Sequence, residues 1–339
     1  MKKILPIADP PIKSYLHHAY GLSILATSDA YLPWFYSNYI QVFFDKHYRE
    51  NPYVDYYNFF YYPYVEINIP HLERLKFDRA MLTEEQLNAD FICRLIDLGY
   101  YICLYADEYY IPDRVAYKNF HFKHEVLIFG YDREERIFHI LGFNRERVYG
   151  ATTVPIDDLM EAFSHGYDGD GDLFWRKYII AARLFRDTVY PFNLKLVTDL
   201  LEDYLESRES NSRVAMYIQP PRDCVFGLAS YAYIDEALEL MERGEFFIDY
   251  RLPSVIWEHK QCMTKRLQYM HGLGLVDQDV CDQFAKVEDI ALKARNTMLK
   301  AFVTNQRSII SRIREMVQSI HEQEKAILVP LLQHLKSQL

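Results

Sequence analysis

Histidines, thiols and clustered carboxylates are the side chains that could do chemistry in this chain, and they fall at a few identifiable places. His121 and His124 stand three apart, a ligand spacing for one face of a helix, but the residues around them read as loop and strand. A zinc site is therefore not expected there. Asp168-Gly169-Asp170-Gly171-Asp172 imitates the opening of a calcium loop. Its sixth position is Leu173 where a glycine is needed, and its twelfth is Ile179 where a bidentate glutamate belongs, so it reads as a flexible acidic linker. Cys224 follows Gln219-Pro220-Pro221-Arg222-Asp223 and is expected in the first turn of a helix. The helix dipole and Arg222 would lower its thiol pKa there, and Asp223 would oppose them. Cys93, Cys103, Cys262 and Cys281 lie in apolar periodic segments and read as buried small hydrophobes. His17 and His18 are open to readings as ligands, bases or plain helix residues. No GxGxxG, Walker loop or GxSxG occurs, and neither a cofactor nor a metal is expected.

The elements that must position these groups divide the chain in two. Residues 1–165 mix helix and strand signals, and residues 166–339 are almost wholly helical in pattern. Gly21–Asp45 is densely apolar, with Pro33 expected to open a second helical stretch over Trp34–Phe44. Thr83 and Gln86 have capping-box spacing and predict a helix running to Leu98 and ending at Gly99. Tyr100–Tyr105, His124–Tyr131 and Ile137–Phe143 read as strands, the last two joined by the polar turn Asp132–Arg136 as a hairpin. Val154–Phe163 starts a short helix. Helical periodicity then marks Val189–Ser207, Val225–Arg243, Val255–Met270 and Asp277–Glu324, the last as one long helix or two joined ones. A helix followed by a meandering antiparallel sheet is an α+β order.

Composition bounds what such a chain does. With half its 339 residues apolar and a quarter charged, it is not a disordered protein. No apolar run approaches a membrane span, and Met1–Pro11 lacks the apolar stretch of a secretion signal, so no membrane partner is expected. Five cysteines without CxxC spacing predict reduced thiols and a cytoplasmic protein. A net charge of −10 without a basic tract argues against a nucleic-acid partner. Twenty-nine tyrosines stand out, many of them within Tyr53–Tyr64, a cluster that reads either as a groove or interface lining or as a structural strand pair. The long C-terminal apolar stripe could pair two copies as a homodimer.

The stretch Leu104–Gly142 carries a resemblance. Its Asp107-Glu108-Tyr109-Tyr110-Ile111-Pro112, its spacer to Tyr117, then His124 and Gly130-Tyr131-Asp132 resemble the N-terminal-domain family of the butirosin biosynthesis acyltransferase. That family is a branch of the papain-like cysteine peptidases and bacteriocin-processing peptidases. Phe226-Gly227-Leu228, Asp249-Tyr250-Arg251 and Trp257-Glu258-His259-Lys260 through Met263 and Arg266 extend the likeness into the helical half. The resemblance implies a papain-like α+β domain over 1–165 carrying a helical domain over 166–339. It also implies transfer of an aminoacyl or peptidyl group from a carrier-protein thioester to a small-molecule amine. In that family a cysteine on the first long helix is the nucleophile, a strand histidine its base, and a carboxylate or amide on the next strand the orienting group. His124 falls on the family histidine, and Asn144 is the residue offered for the orienting position. No cysteine occurs within Leu16–Tyr20, where the family nucleophile belongs; the nearest helical hydroxyl is Ser23. His18, Tyr20 and Asp107 are the residues assigned to substrate binding, Asp107 with a supporting role behind the site. Three functions follow: covalent acyl transfer, non-covalent transfer with His124 as general base, and an inactive pseudoenzyme serving as binding or scaffold partner of an assembly line.

Overall fold

The apolar runs flanking Asp132–Arg136 form the hairpin that their pattern predicts, and an antiparallel sheet grows around it. The computed structural model describes residues 1–50, 55–59, 69–83, 86–169, 172–185, 187–213 and 223–339. In chain order the elements are β1 (Lys2–Ile4), α1 (Leu16–Leu25), α2 (Leu32–Asn38), β2 (Val42–Asp45), β3 (Tyr57–Phe59), β4 (Leu72–Asp78) and α3 (Ala89–Asp97). There follow β5 (Tyr101–Asp107), β6 (Lys123–Asp132), β7 (Ile137–Phe143), β8 (Tyr149–Pro155), α4 (Ile156–Ser164) and β9 (Tyr178–Leu184). The remainder is α5 (Leu194–Glu206), β10 (Cys224–Phe226), α6 (Ser230–Arg243), α7 (Arg251–Gly272), α8 (Gln278–Thr304) and α9 (Ile310–Ser337). The chain is α+β, with antiparallel sheets and a helical C-terminal region. Among the described residues no helix is long and apolar enough to cross a membrane.

Two compact units divide the chain, and their boundary is not at residue 165. The first takes Met1–Asp29 and Asn68–Val189; the second takes Ala30–Ile67 and Tyr190–Leu339. The reason is strand pairing. β9 lies beyond residue 165 yet inserts between β4 and β5, while β2 pairs with β10 from the helical half.

In the first unit the strand order is β4-β9-β5-β6-β7-β8, with β1 pairing the far end of β6. Gly130 permits that last contact, because a Cβ there would stand 2.8 Å from the Lys3 carbonyl oxygen. Ile102, Leu104 and Ala106 of β5 alternate with the residues of the other sheet face and are fully buried with Val126 and Ile128 of β6. α3 packs on β5 and β6, and α4 on β5, β7 and β8. α3 starts later than its sequence signal. Thr83 and Gln86 do exchange capping-box bonds, but the N-cap is Asn88, whose side chain accepts from Phe91 N at 3.0 Å. The helix ends, as its sequence predicts, before a left-handed Gly99.

The acidic stretch Asp168–Asp172 is not a flexible linker at its C-terminal end. The Asp172 side chain is 6% exposed and accepts from Lys123 Nζ at 3.0 Å, Arg176 Nη1 at 2.8 Å and the backbone N–H groups of Asp168 and Leu173. Burial alone would raise its pKa; these donors outweigh it and hold the carboxyl below its ordinary range.

In the second unit Pro33 lies in the first turn of α2, as expected, but the helix stops at Asn38 and Val42–Asp45 is a strand. The buried Arg266 guanidinium fixes that stop: Nε donates to Tyr36 O at 2.7 Å and Nη2 to Tyr39 O, closing carbonyls that the helix end leaves open. Cys224 lies in a strand opposite Asp45, not in a helix turn. Residues 219–222 before it, and most of the Tyr53–Tyr64 cluster, lie outside the described residues. The long C-terminal stripe resolves into two helices, broken at a left-handed Asn305. The apolar faces of α8 and α9 are used inside the unit, against α7, α6 and α5.

Candidate functional site

β5 and β6 pair antiparallel with Ala106 opposite His124. The residues that follow β5 must therefore meet the residues that open β6. Two consecutive carboxylates do so, each with one imidazole. Asp107 Oδ2 lies 2.6 Å from His121 Nδ1, and Glu108 Oε1 lies 3.2 Å from His124 Nδ1. A carboxylate in these bonds accepts, so Nδ1 carries a hydrogen in each ring, and it is Nε2 that holds the lone pair in the neutral form. Asp107 also accepts from the backbone N–H groups of Tyr109 and Phe122, both at 3.0 Å. Burial would raise its pKa, but the His121 bond and those two N–H groups bring it below the usual carboxylate value.

The second pair is the better placed for chemistry. His124 keeps 34% of its side chain exposed while Glu108 keeps 11%. His124 Nε2 makes no hydrogen bond among the described residues. Behind Glu108 stands Arg114, buried, with its Nε 4.0 Å from Glu108 Oε1 and no other partner for that atom among the described residues. Its Nη1 donates to Phe143 O. Gly142 makes room for it, since a Cβ there would lie 3.0 Å from Arg114 Nη2.

The sheet opens beside these groups. Pairing of β6 with β7 stops at Leu127 opposite Leu141, and beyond that point β6 pairs only with β5 and β7 only with β8. The Tyr20 hydroxyl spans the opening, shared between Glu125 O at 2.9 Å and Leu141 O at 3.1 Å. Burial pushes its phenol well above the ordinary value and keeps it a neutral donor.

The structure does not assemble the triad expected from the sequence. Ser23 is fully buried in α1 and its Oγ is 3.0 Å from Tyr149 Oη. Tyr149 stands opposite Phe143, on the face shared by Leu141, Leu127 and Glu125; His124 alternates to the other face. Ser23 and His124 are thus on opposite sides of the sheet. Cys103, opposite Leu127, shares the face away from His124, and burial raises its thiol well above the usual range. Asn144 does not orient His124 either. Its Oδ1 is spent on its own loop, accepting from Glu146 N at 3.0 Å and Val148 N at 2.9 Å. His18, Tyr20 and Asp107 are all buried, and the bonds of Tyr20 and Asp107 named above are to protein groups.

The residues that sequence reading missed are Glu108 and Arg114. A signal existed for Glu108: an acidic pair at the end of one strand must approach a histidine that opens its antiparallel neighbour. Among the described residues no group of three or more His, Cys, Asp or Glu side chains could hold a metal ion. No protein-family model matches the chain, and no curated protein matches it significantly.

Proposed function

We propose that the chain is an amide-forming acyltransferase that works by general-base catalysis without a covalent acyl intermediate, its first unit a papain-like plan lacking the nucleophile. The observation that carries this reading is the His124–Glu108 pair, with Nδ1 held by a buried carboxylate, Nε2 uncommitted and the ring partly exposed. The donor is a carrier-protein acyl thioester and the acceptor a small-molecule amine. The amine nitrogen attacks the thioester carbonyl and forms the C–N bond while His124 Nε2 takes an N–H proton. The C–S bond then breaks, its electron pair leaves on sulfur, and the imidazolium returns the proton to that thiolate. Glu108 holds the ring in its tautomer and offsets the imidazolium charge during the step. A cytoplasmic setting suits a chain whose five cysteines form no disulfide.

Initial velocities measured at varied thioester and amine concentrations test the reading. Direct transfer needs both substrates bound together, so intersecting reciprocal plots are expected. Parallel plots, the pattern of a ping-pong route through an acyl-enzyme, would overturn it. The scaffold reading has one observation in its favour: Phe120 and Phe122, flanking His121, are 47% and 44% exposed, as a protein-contact patch would be. Absence of turnover with intact binding of a carrier protein would select it.

A further inference from the structure

The two outer strands of the first unit's sheet differ in a way that points to a partner. β4 (Leu-Glu-Arg-Leu-Lys-Phe-Asp) carries four charges, and Glu73 and Asp78 are bonded to Arg183 and Lys177. Charge on an outer strand blunts it against pairing with another chain. β8 (Tyr-Gly-Ala-Thr-Thr-Val-Pro) is equally long, carries no charge at all, and ends the strand order with only β7 beside it. Its outward backbone groups have no partner among the described residues. Ala151 and Thr153 are exposed.

We propose that the β8 edge pairs antiparallel with the β8 edge of a second copy of this chain, about a two-fold axis at Thr152. The occupant follows from self-complementarity. In that register Ala151 opposes Thr153, Gly150 opposes Val154 and Tyr149 opposes Pro155, all neutral pairs. The same operation on β4, about Leu75, would set Arg74 against Lys76, a like-charge opposition that disfavours pairing. A closed two-fold pair also consumes the edge, which leaves no open template for further strands. Seven residues against seven is a small interface, so self-association is expected to be of the weak class and is sought at micromolar concentrations.

The test uses the full-length chain in sedimentation equilibrium, with two double variants at exposed positions that leave the fold intact. Ala151→Lys with Thr153→Lys places lysine against lysine twice across the axis. Ala151→Lys with Thr153→Glu places lysine against glutamate twice. The wild type is expected to dimerise, the double-lysine variant to do so about tenfold more weakly, and the lysine–glutamate variant to recover the wild-type constant. A wild type that stays monomeric through the upper micromolar range would overturn the proposal. So would a double-lysine variant that dimerises as well as the wild type, or a lysine–glutamate variant that is as weak as the double-lysine one.

Discussion

Replacing His124 by alanine is expected to slow amide formation from an acyl thioester and an amine by about 10²–10⁴-fold, the usual contribution of a positioned general base. The melting temperature should move little. The ring is partly exposed, and its removal gives up one bond to Glu108, whose carboxylate still faces Arg114. Glu108→Gln should cost less turnover than His124→Ala, because the amide oxygen still accepts from Nδ1 while the charge that offsets the imidazolium is lost. Activity per folded molecule, measured beside thermal unfolding for both variants, checks this. A His124→Ala protein that melts many degrees lower and keeps its specific activity would assign the ring to packing. The free energies differ in kind: loss of the base raises a barrier, whereas loss of a buried polar partner costs about 1–3 kcal/mol of stability.

The second large effect lies in the helical unit and concerns stability alone. Lys260 and Glu324 form an ion pair at 2.6 Å with both side chains fully buried. Tyr204 Oη donates to Glu324 Oε1 at 2.9 Å, and Lys260 Nζ also lies 3.0 Å from His259 Nδ1. His259 Nε2 donates to Ile40 O at 2.8 Å, which leaves Nδ1 to accept. Burial, with Lys260 beside it, holds that ring neutral by pulling its pKa well below the ordinary value. Burial likewise lowers the Lys260 pKa, against the pull of Glu324. Lys260→Met strands the Glu324 carboxylate in the interior and is expected to destabilise the protein by about 3–5 kcal/mol. Lys260→Met with Glu324→Leu should recover part of that loss, since no charge is left stranded, while the Tyr204 hydroxyl and His259 Nδ1 lose these partners. Urea unfolding of the single and double variants measures the difference. A double variant as unstable as the single one would show that the loss comes from Lys260 packing on the Tyr204 and Tyr231 rings and not from the stranded charge.

How much of this was legible depends on whether the signal was local. The hairpin of Ile137–Phe143 with its partner was written in two apolar runs and a polar turn, and the C-terminal helices in their three-and-four spacing. Val42-Phe43-Phe44 read as helix because a short apolar run has no period to distinguish a buried strand from a buried helix. The charged β4 and the Gly-Ala-Thr-Thr core of β8 gave no apolar alternation, since each strand buries one residue and leaves the rest at least partly exposed on both faces. The unit boundary was hidden for a different reason: β9 joins strands about 75 and 105 residues away in sequence, and no local pattern announces such pairing. The site divides along the same line. His124 was visible as a histidine opening a strand, but its partner depended on β5 continuing past Tyr105 to Asp107, two residues further than the apolar run. Asn144 looked like a plausible acceptor by position and is consumed by its own turn.

The most direct test of non-covalent transfer at His124 is intact-protein mass spectrometry on the full-length chain, sampled while it turns over an acyl thioester in the presence of the amine. The expected result is an unmodified protein mass at every time point while the amide accumulates. A protein population heavier by the mass of the acyl group, forming and decaying at the rate of turnover, would contradict it.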